Sequence, residues 1–328
     1  MRTEGELVRA AQGGDRPAFD ELAALYRDRL RLHCYRMLGS FHDAEDAVQD
    51  ALLKAWRSLG GFEGRSGVGT WLHRIATTTC LNMIRGRPRV VVPGHISSGL
   101  RPAAADVAWL EPYPDIQLPA PSADEPEARI LAQEATRLAF VTAVQLLPGR
   151  QRAVLLLRDV LMWEPAEVAD ALDTTVPAVN SALQRARARL AEPRTLTIAP
   201  VEVELIVEEF VRRWGALDIE GIVALLTDDA VMAMPPAPAW FFGPSEIGEF
   251  FATVPADGRI DLIPLVRTWA NGQPAVAAYM PTGDEGYEGY GVMVFELSDA
   301  GISGITGFQG PRLMAIFGLP DRLAHEDR

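Results

Sequence analysis

The segment TWLHRIATTTCLNMIR, residues 70–85, brings together the first side chains that could do chemistry. At 3.6 residues per turn, Arg74, Thr78, Asn82 and Arg85 share one helix face, while Leu72, Ile75, Ala76, Thr79 and Met83 share another. Guanidinium, hydroxyl and amide groups in such a row are donors of the kind that hold phosphates and base edges. A glycine-rich stretch, residues 60–69, lies just ahead and carries Phe62 and Arg65, with Trp71 following. An aromatic beside a flexible loop can stack an unpaired base of any identity. An exposed loop followed by a tryptophan filling a core gives the same pattern.

A second set lies in residues 165–190, which follow a helix-turn-helix pattern. Residues 167–172 read as a short helix, and Asp173, Thr174 and Thr175 as the turn and cap of the next. On that next helix Val176, Val179, Leu183, Ala186 and Leu190 form a narrow apolar stripe, with Pro177, Ser181, Gln184, Arg185 and Ala188 opposite. A recognition helix presents such residues to base edges in the major groove. Arg185, Arg187 and Arg189 add attraction for phosphate. The plainer alternative is an arginine-rich surface helix of a bundle. A third helix opens at Asp43, read as its N-cap, and places Val48, Ala51, Leu52, Ala55 and Leu59 toward a core. Asp46, Gln49, Asp50 and Leu53 fall on a different face, which on spacing alone reads as a solvated side.

Residues suited to catalysis or metal binding are sparse. Cys34 and Cys80 form no CxxC pair, and no HxxxH spacing exists, so a metal site is not expected and buried packing of the thiols is. Beyond His95 the only histidine is His325. Asp228 and Asp229 precede a strand and read as solvated turn acids. Met232, Met234, Trp240, Phe241, Tyr279 and Tyr290 either line an apolar cavity or fill a core. No acid–base pair and no cofactor motif stands out.

These residues need several elements to position them, and 328 residues are enough for two or three domains. A composition of 48% hydrophobic and 23% charged residues excludes global disorder. No apolar run reaches the roughly 20 residues of a membrane span, so no membrane partner is expected. The opening MRTEGELVRA lacks the apolar core of a signal peptide. With only two cysteines, the expected home is a reducing cytoplasm. The net charge of −13 argues against a nucleic-acid partner only until it is mapped: residues 1–88 hold 13 basic and 11 acidic side chains, residues 196–328 hold 7 and 20. The acidity therefore sits in the tail, and the first 195 residues are free to approach a phosphate backbone. Of the 31 basic residues only Lys54 is a lysine.

Residues 1–88 read as one helical domain and residues 125–195 as a second. The proline-laden residues 89–124 between them read as a linker, in which Trp109 and Tyr113 point either to packing on a neighbouring domain or to a partner contact. In residues 196–328, helices over 202–214 and 219–226 precede strand-like runs at 230–234, 260–269, 275–280, 289–297 and 302–308, an α+β pattern.

Together the motifs resemble a sigma factor of the extracytoplasmic-function (ECF) class in the sigma-70 family. DAEDAVQDALLKAW at 43–56 resembles the family's helix that grips the β′ clamp helices of core RNA polymerase. FEGRSGVGTWLHRIATTTCLNMIR at 62–85 resembles its promoter-melting and −10-reading segment, and residues 148–190 resemble its −35-reading domain. The resemblance covers about the first 195 residues and implies two all-α sigma domains, the second a helix-turn-helix. It implies polymerase contacts at Asp46, Gln49, Asp50 and Leu53, and −10 contacts at Arg65, Trp71, Arg74, Thr78, Asn82 and Arg85. It implies −35 contacts at Thr175, Pro177, Ser181, Gln184, Arg185 and Arg187, and a linker threading through polymerase. Pro165 departs from the pattern but is tolerated in a first turn.

A minimal member would end near residue 195. Residues 200–320 are instead similar to the SnoaL-like, nuclear-transport-factor-2-type cone, on VEEFVRRWGALDIEGIVALLTDDAVMAMPP for its opening helices and first strand and AWFFGPSEIGEFF for its next helix. Such a tail implies a regulatory domain, with an intramolecular contact to the sigma domains and a pocket for which Met234, Trp240, Phe241, Tyr279 and Tyr290 are candidates. The expected protein is thus no enzyme, needs no cofactor, and has polymerase and promoter DNA as partners. The alternatives are a helix-turn-helix regulator acting without polymerase, and a tail that is a fused enzyme.

Overall fold

Small polar residues set where the first helices begin. Thr3 caps α1 (Glu4–Gln12) in a capping box with Glu6, Asp15 caps α2 (Arg16–Leu38), and Ser40 caps α3 (Phe41–Ser58). Each side-chain oxygen accepts a backbone N–H that the helix itself leaves unbonded. The cap of α3 is thus three residues earlier than the expected Asp43, whose own N–H donates to Ser40 Oγ at 3.1 Å. Ser40 is available because Gly39, at φ 78°, ends α2 in the left-handed region and turns the chain. α4 (Val68–Ile84) follows the glycine-rich loop. Val48, Ala51, Leu52, Ala55 and Leu59 are buried, as are Leu72, Ala76 and Thr79.

This is a computed structural model, and it describes residues 2–85, 99–100, 110–120, 134–190, 200–235, 239–283, 286–310 and 312–324. Trp109 lies outside the described residues. The chain forms two compact units, one of Met1–Arg89 with Gln117–Pro193 and one of Val90–Ile116 with Arg194–Arg328.

The first unit adds α5 (Leu138–Gln145), α6 (Gly149–Leu155) with a π-helical turn over Leu156–Val160, α7 (Pro165–Ala171) and α8 (Val176–Arg187). Its two helical groups are joined through buried arginines. Arg36 of α2 donates to Ala135 O at 3.0 Å and Thr136 Oγ1 at 2.9 Å. Arg152 of α6 reaches Met37 O at the end of α2, the Gln145 side chain, Gln145 O at 2.8 Å and Leu147 O at 3.2 Å. Gln145 Nε2 returns a bond to Arg36 O at 3.0 Å. A guanidinium fork satisfies several carbonyls at once, which is what a polar group needs in a core. Burial pushes the Arg152 group down to about 10.

The second unit packs α9 (Pro200–Gly215), α10 (Ile219–Val223) and α11 (Gly243–Thr253) on a curved sheet. Its strands are β1 (Gly99–Leu100), β2 (Leu226–Ala233), β3 (Ala239–Phe242), β4 (Leu265–Ala270), β5 (Gln273–Pro281), β6 (Tyr287–Ser298) and β7 (Gly301–Gln309), in the order β1-β3-β2-β7-β6-β5-β4. β8 (Arg322–Leu323) follows α12 (Arg312–Ile316) and pairs with β6. Neighbours are antiparallel except β2 and β7. Three expectations shift: the helix expected over 219–226 ends at Val223 and Leu226 opens β2, residues 239–242, assigned to the helix that follows, form β3, and the run 260–269 divides into a 3₁₀ turn (Ile260–Leu262) and β4. Phe210, Trp214, Phe251 and Phe295 centre the core, with Phe210 and Phe295 in edge contact at 4.8 Å.

The linker is not a plain spacer. Asn271 and Gly272, at φ 59° and 67°, form the two-residue turn between β4 and β5. The Tyr113 N–H donates to Asn271 Oδ1 at 2.9 Å, the Asn271 N–H to Tyr113 O at 2.8 Å, and the Gly272 N–H to Asp115 Oδ1 at 2.8 Å. Tyr113 is fully buried. Asn271→Ala removes one bond and places an alanine in the left-handed region, so it should cost about 1–3 kcal/mol. Hydrogen exchange at the Tyr113 amide should speed up accordingly, and an unchanged rate would sink this anchoring role.

The two units should respond oppositely to acid. Burial drives His33 and His73 below the usual imidazole range, aided at His33 by His73 and Arg36. Their unfolded forms take up protons as pH falls through about 6.5 while the folded ones resist, so the first unit loses stability there. Burial pushes Asp115 up to about 6, against the opposing Gly272 N–H bond. Its folded form takes the proton first, so this contribution is gained as pH falls through about 6 and lost as pH rises. Between pH 7 and 5, intrinsic-rate-corrected hydrogen exchange should quicken around α2 and α4 and slow at residues 113–115. A change of the same sign in both places would refute this.

Candidate nucleic-acid interface

On α3 the core stripe leaves Asp46, Gln49, Asp50 and Leu53 together on the exposed side, Leu53 being 46% exposed. Lys54 ties this helix to the next, its Nζ donating to Thr79 Oγ1 at 3.0 Å.

On α4, Arg74, Thr78, Asn82 and Arg85 are all exposed. The opposite side of α4 fixes that face. The Thr77 hydroxyl donates to His73 O at 2.7 Å, so the His33 Nε2 contact at 2.8 Å is a donation to Thr77, and His73 Nδ1 donates to Gly69 O at 2.8 Å. Both imidazoles are spent on holding the helix. Cys34 and Cys80 are buried, and a hydrogen bond to Cys80 together with burial pushes the Cys34 thiol up, which makes it unreactive. Gln12 Nε2 pins the loop before α4 at Phe62 O, 2.8 Å away. Trp71 is half-buried and packs on Phe62 at 5.1 Å between ring centres, while Arg65 stands exposed beside Glu63 at 3.1 Å.

Within the same unit, Arg74 meets Asp170 of α7 at 2.6 Å. Both are exposed, so the pair contributes little on its own. Asp170 was not anticipated as a partner, nor were Arg36, Gln145 and Arg152. The available signal was two arginines set in apolar helical runs, at LHCYRML and GRQRAVLLL.

α8 presents Thr175, Pro177, Ser181, Gln184, Arg185 and Arg187 outward. Thr175 caps it, accepting from the Ala178 N–H at 3.4 Å, and Pro177 lies in its first turn. Arg185 donates to Ser181 Oγ at 2.6 Å, and Arg187 grips Asp159 through two bonds of 2.9 and 2.6 Å. Val179, Leu183 and Ala186 are buried, but Val176, expected in the same stripe, is 38% exposed. Burial on α8 begins only at its second turn. α7 begins at Pro165, as a first-turn proline allows.

In the second unit, a half-open apolar cavity of about 250 Å3 lies between the sheet and the helices. Of the candidate pocket residues, Met234 and Tyr290 line it. Trp240 and Tyr279 do not: both are buried elsewhere, and the Tyr279 hydroxyl donates to Pro320 O at 2.9 Å. Phe241 packs on Phe250 at 4.6 Å instead of lining the space. Asp228 and Asp229 are exposed on β2, where Asp229 accepts from Thr227 at 2.8 Å. Among the described residues no cluster of histidine, cysteine, aspartate or glutamate could hold a metal ion, and no helix is long and apolar enough to cross a membrane.

The chain matches the Sigma-70 region 2 family over residues 22–90, the Sigma-70 region 4 family over residues 137–190, and the SnoaL-like domain over residues 207–305. It is 42% identical to the ECF RNA polymerase sigma factor SigG of Mycobacterium tuberculosis over 315 residues, covering 91% of this chain and 83% of that one. It is 36% identical to SigM of the same organism over 192 residues, 58% of this chain and 84% of that one. Its fold is similar to the crystal structure of the M. tuberculosis extracytoplasmic function sigma factor SigJ, with a TM-score of 0.61 and 22% identity, over 92% of this chain and 99% of that one. Helical groups carrying both sigma regions, a SnoaL-like unit after them and this identity along nearly the whole chain place the protein in the ECF RNA polymerase sigma factors.

Proposed function

We propose that this sigma factor docks on core RNA polymerase through the exposed face of α3, with Asp46, Gln49, Asp50 and Leu53 against the β′ clamp helices. The faces of α4 and α8 then take the −10 and −35 elements of promoter DNA. The observation that carries this reading is the separation of faces. α3, α4 and α8 each bury one stripe and leave a second, polar stripe outward, and the matched sigma regions coincide with those helices. Arg187 gives up Asp159 to reach phosphate, at small cost for an exposed pair. Arg74 likewise leaves Asp170.

The Arg36 and Arg152 bonds hold the two helical groups together in the free chain, so reading two separated promoter elements requires them to part. The SnoaL-like tail acts as a regulatory domain that modulates this step: its sheet retains residues 113–115 of the segment linking the sigma regions. Run-off transcription with core polymerase over genomic promoters tests the reading, using full chain and a chain ending near residue 200. Promoter-specific transcripts that change in yield when the tail is removed are expected. Failure of the full chain to bind core polymerase would overturn the docking assignment, and identical transcription by both chains would overturn the role of the tail.

A further inference from the structure

α1 lies ahead of the residues matched as Sigma-70 region 2, yet it reaches both ends of the glycine-rich loop that precedes α4. Leu7 and Ala11 are buried and seat α1 on α2. At the end of α1, Gln12 Nε2 donates to Leu59 O at 3.3 Å and to Phe62 O at 2.8 Å, where α3 gives way to the loop. At its first turn, Glu4 accepts the hydroxyl of Tyr26 on α2. The Tyr26 ring lies against Gly69, where the loop gives way to α4. One helix thus grips the loop where it begins and, through one tyrosine, where it ends. Residues 63–67 between the two grips are exposed, and the Phe62 and Trp71 rings meet across the span at 5.1 Å.

Gly69 reveals how tightly the tyrosine is fitted. It is the second residue of α4, where alanine is the better helix former, and its φ is not in the left-handed region. The helix itself therefore has no use for glycine there. A Cβ at this position would meet Tyr26 Cε1 at 2.7 Å, so the ring is what keeps the site bare. Burial, together with the bond to Glu4, pushes the Tyr26 hydroxyl up, so it keeps its proton and stays a donor. The ring cannot swing away from Gly69 without giving up Glu4, which couples α1 to the start of α4. Gly69 is also held from within α4, its O accepting from His73 Nδ1 at 2.8 Å.

A loop that catches an unstacked base gives up conformational freedom on binding, and that loss subtracts from affinity. Fixing both ends of the loop beforehand removes part of the loss. We infer that α1 is a brace for promoter opening, in which Gln12 and the Glu4–Tyr26 pair are positioning residues that hold the loop carrying Phe62 and Arg65 ready for single-stranded DNA. Their effect passes through the loop and through Gly69. This role rests on the reading proposed above, that the face of α4 takes the −10 element.

Holoenzyme assembled from core polymerase and the full chain tests this on a promoter found by run-off transcription, supplied fully duplex or pre-melted over the −10 element by mismatched strands. Permanganate reactivity of unpaired thymines reports opening of the duplex, and the rate of abortive product reports initiation on both forms. Gln12→Ala and Gly69→Ala should each lower open complex on the duplex by about threefold to tenfold, the share of one or two hydrogen bonds, with core-polymerase affinity within about twofold of the parent. On the pre-melted form their abortive rates should return to within about twofold of the parent, because no duplex is left to open. Gly69→Ala displaces the ring and so already breaks the Glu4 bond; adding Tyr26→Phe, which removes only the hydroxyl, should therefore lower opening no further. Unchanged duplex opening in either single variant, an equal loss on both forms of DNA, weakened core binding, or additive losses in the double variant would each overturn the brace. Asn82→Ala, on the exposed face of α4, separates this failure from that of the underlying reading. If it opens the promoter like the parent, the −10 assignment falls and the brace with it; if it is defective while the Gln12 and Gly69 variants are not, the brace alone is overturned.

Discussion

Arg152→Ala is expected to lower the unfolding free energy of the first unit by about 3–5 kcal/mol, the range seen when one partner of a buried charged network is removed. Arg152 is 6% exposed and serves acceptors at Met37, Gln145 and Leu147, none of which can turn to water in the folded chain. Each carbonyl left without a donor carries its own desolvation cost. Methionine at this position would refill much of the volume but none of the bonds, so Arg152→Met should recover only the packing share of the loss. Urea titration followed by far-ultraviolet circular dichroism measures both. A loss below about 1 kcal/mol for Arg152→Ala would show that water reaches these carbonyls and that the network is not what joins α2 to α6.

The second large effect concerns binding. Asp50→Arg combined with Leu53→Asp should weaken association with core polymerase by about 100-fold or more, because it inverts a charge and puts a carboxylate at the apolar centre of the proposed docking face. Both side chains are exposed in the free chain, so stability should change by less than about 1 kcal/mol. Gel-filtration co-migration with core enzyme, alongside a thermal melt, separates the two effects. A stable variant that still co-migrates would move the docking face off α3.

Much of this was readable because helices declare their buried side locally. The spacing of Val48, Ala51, Leu52 and Ala55 marked the buried face of α3, and Val179, Leu183 and Ala186 did the same for α8. The turn before α8 was legible for a similar reason: Asp173, at φ 48°, is a residue type that tolerates the left-handed region. What escaped depended on distant partners. Arg36 and Arg152 look like surface arginines until helices about a hundred residues apart supply their acceptors. Tyr113 looked out of place in a linker, but only the Asn271–Gly272 turn, more than 150 residues later, accounts for it. The Asn-Gly dipeptide is itself a strong hairpin signal, and reading it would have located the β4–β5 turn, though not what that turn holds. The pocket candidates failed in part for a similar reason. Aromatic character does not say which side of a strand a residue takes, and the bulge between Ala278 and Tyr279 reverses the simple alternation there.

The bond from Lys54 to Thr79 has a practical corollary. Every other basic side chain apart from the five histidines is a guanidinium, which amine-selective reagents leave alone. A dye or photo-crosslinker with an activated ester therefore meets a single side-chain amine, immediately beside Asp50 and Leu53, and at a pH of about 9, well above the α-amine range, that site competes with the α-amine for the label. The protein thus offers a natural reporter whose shielding or capture would mark when, and by which surface, α3 is engaged, with no engineered cysteine required.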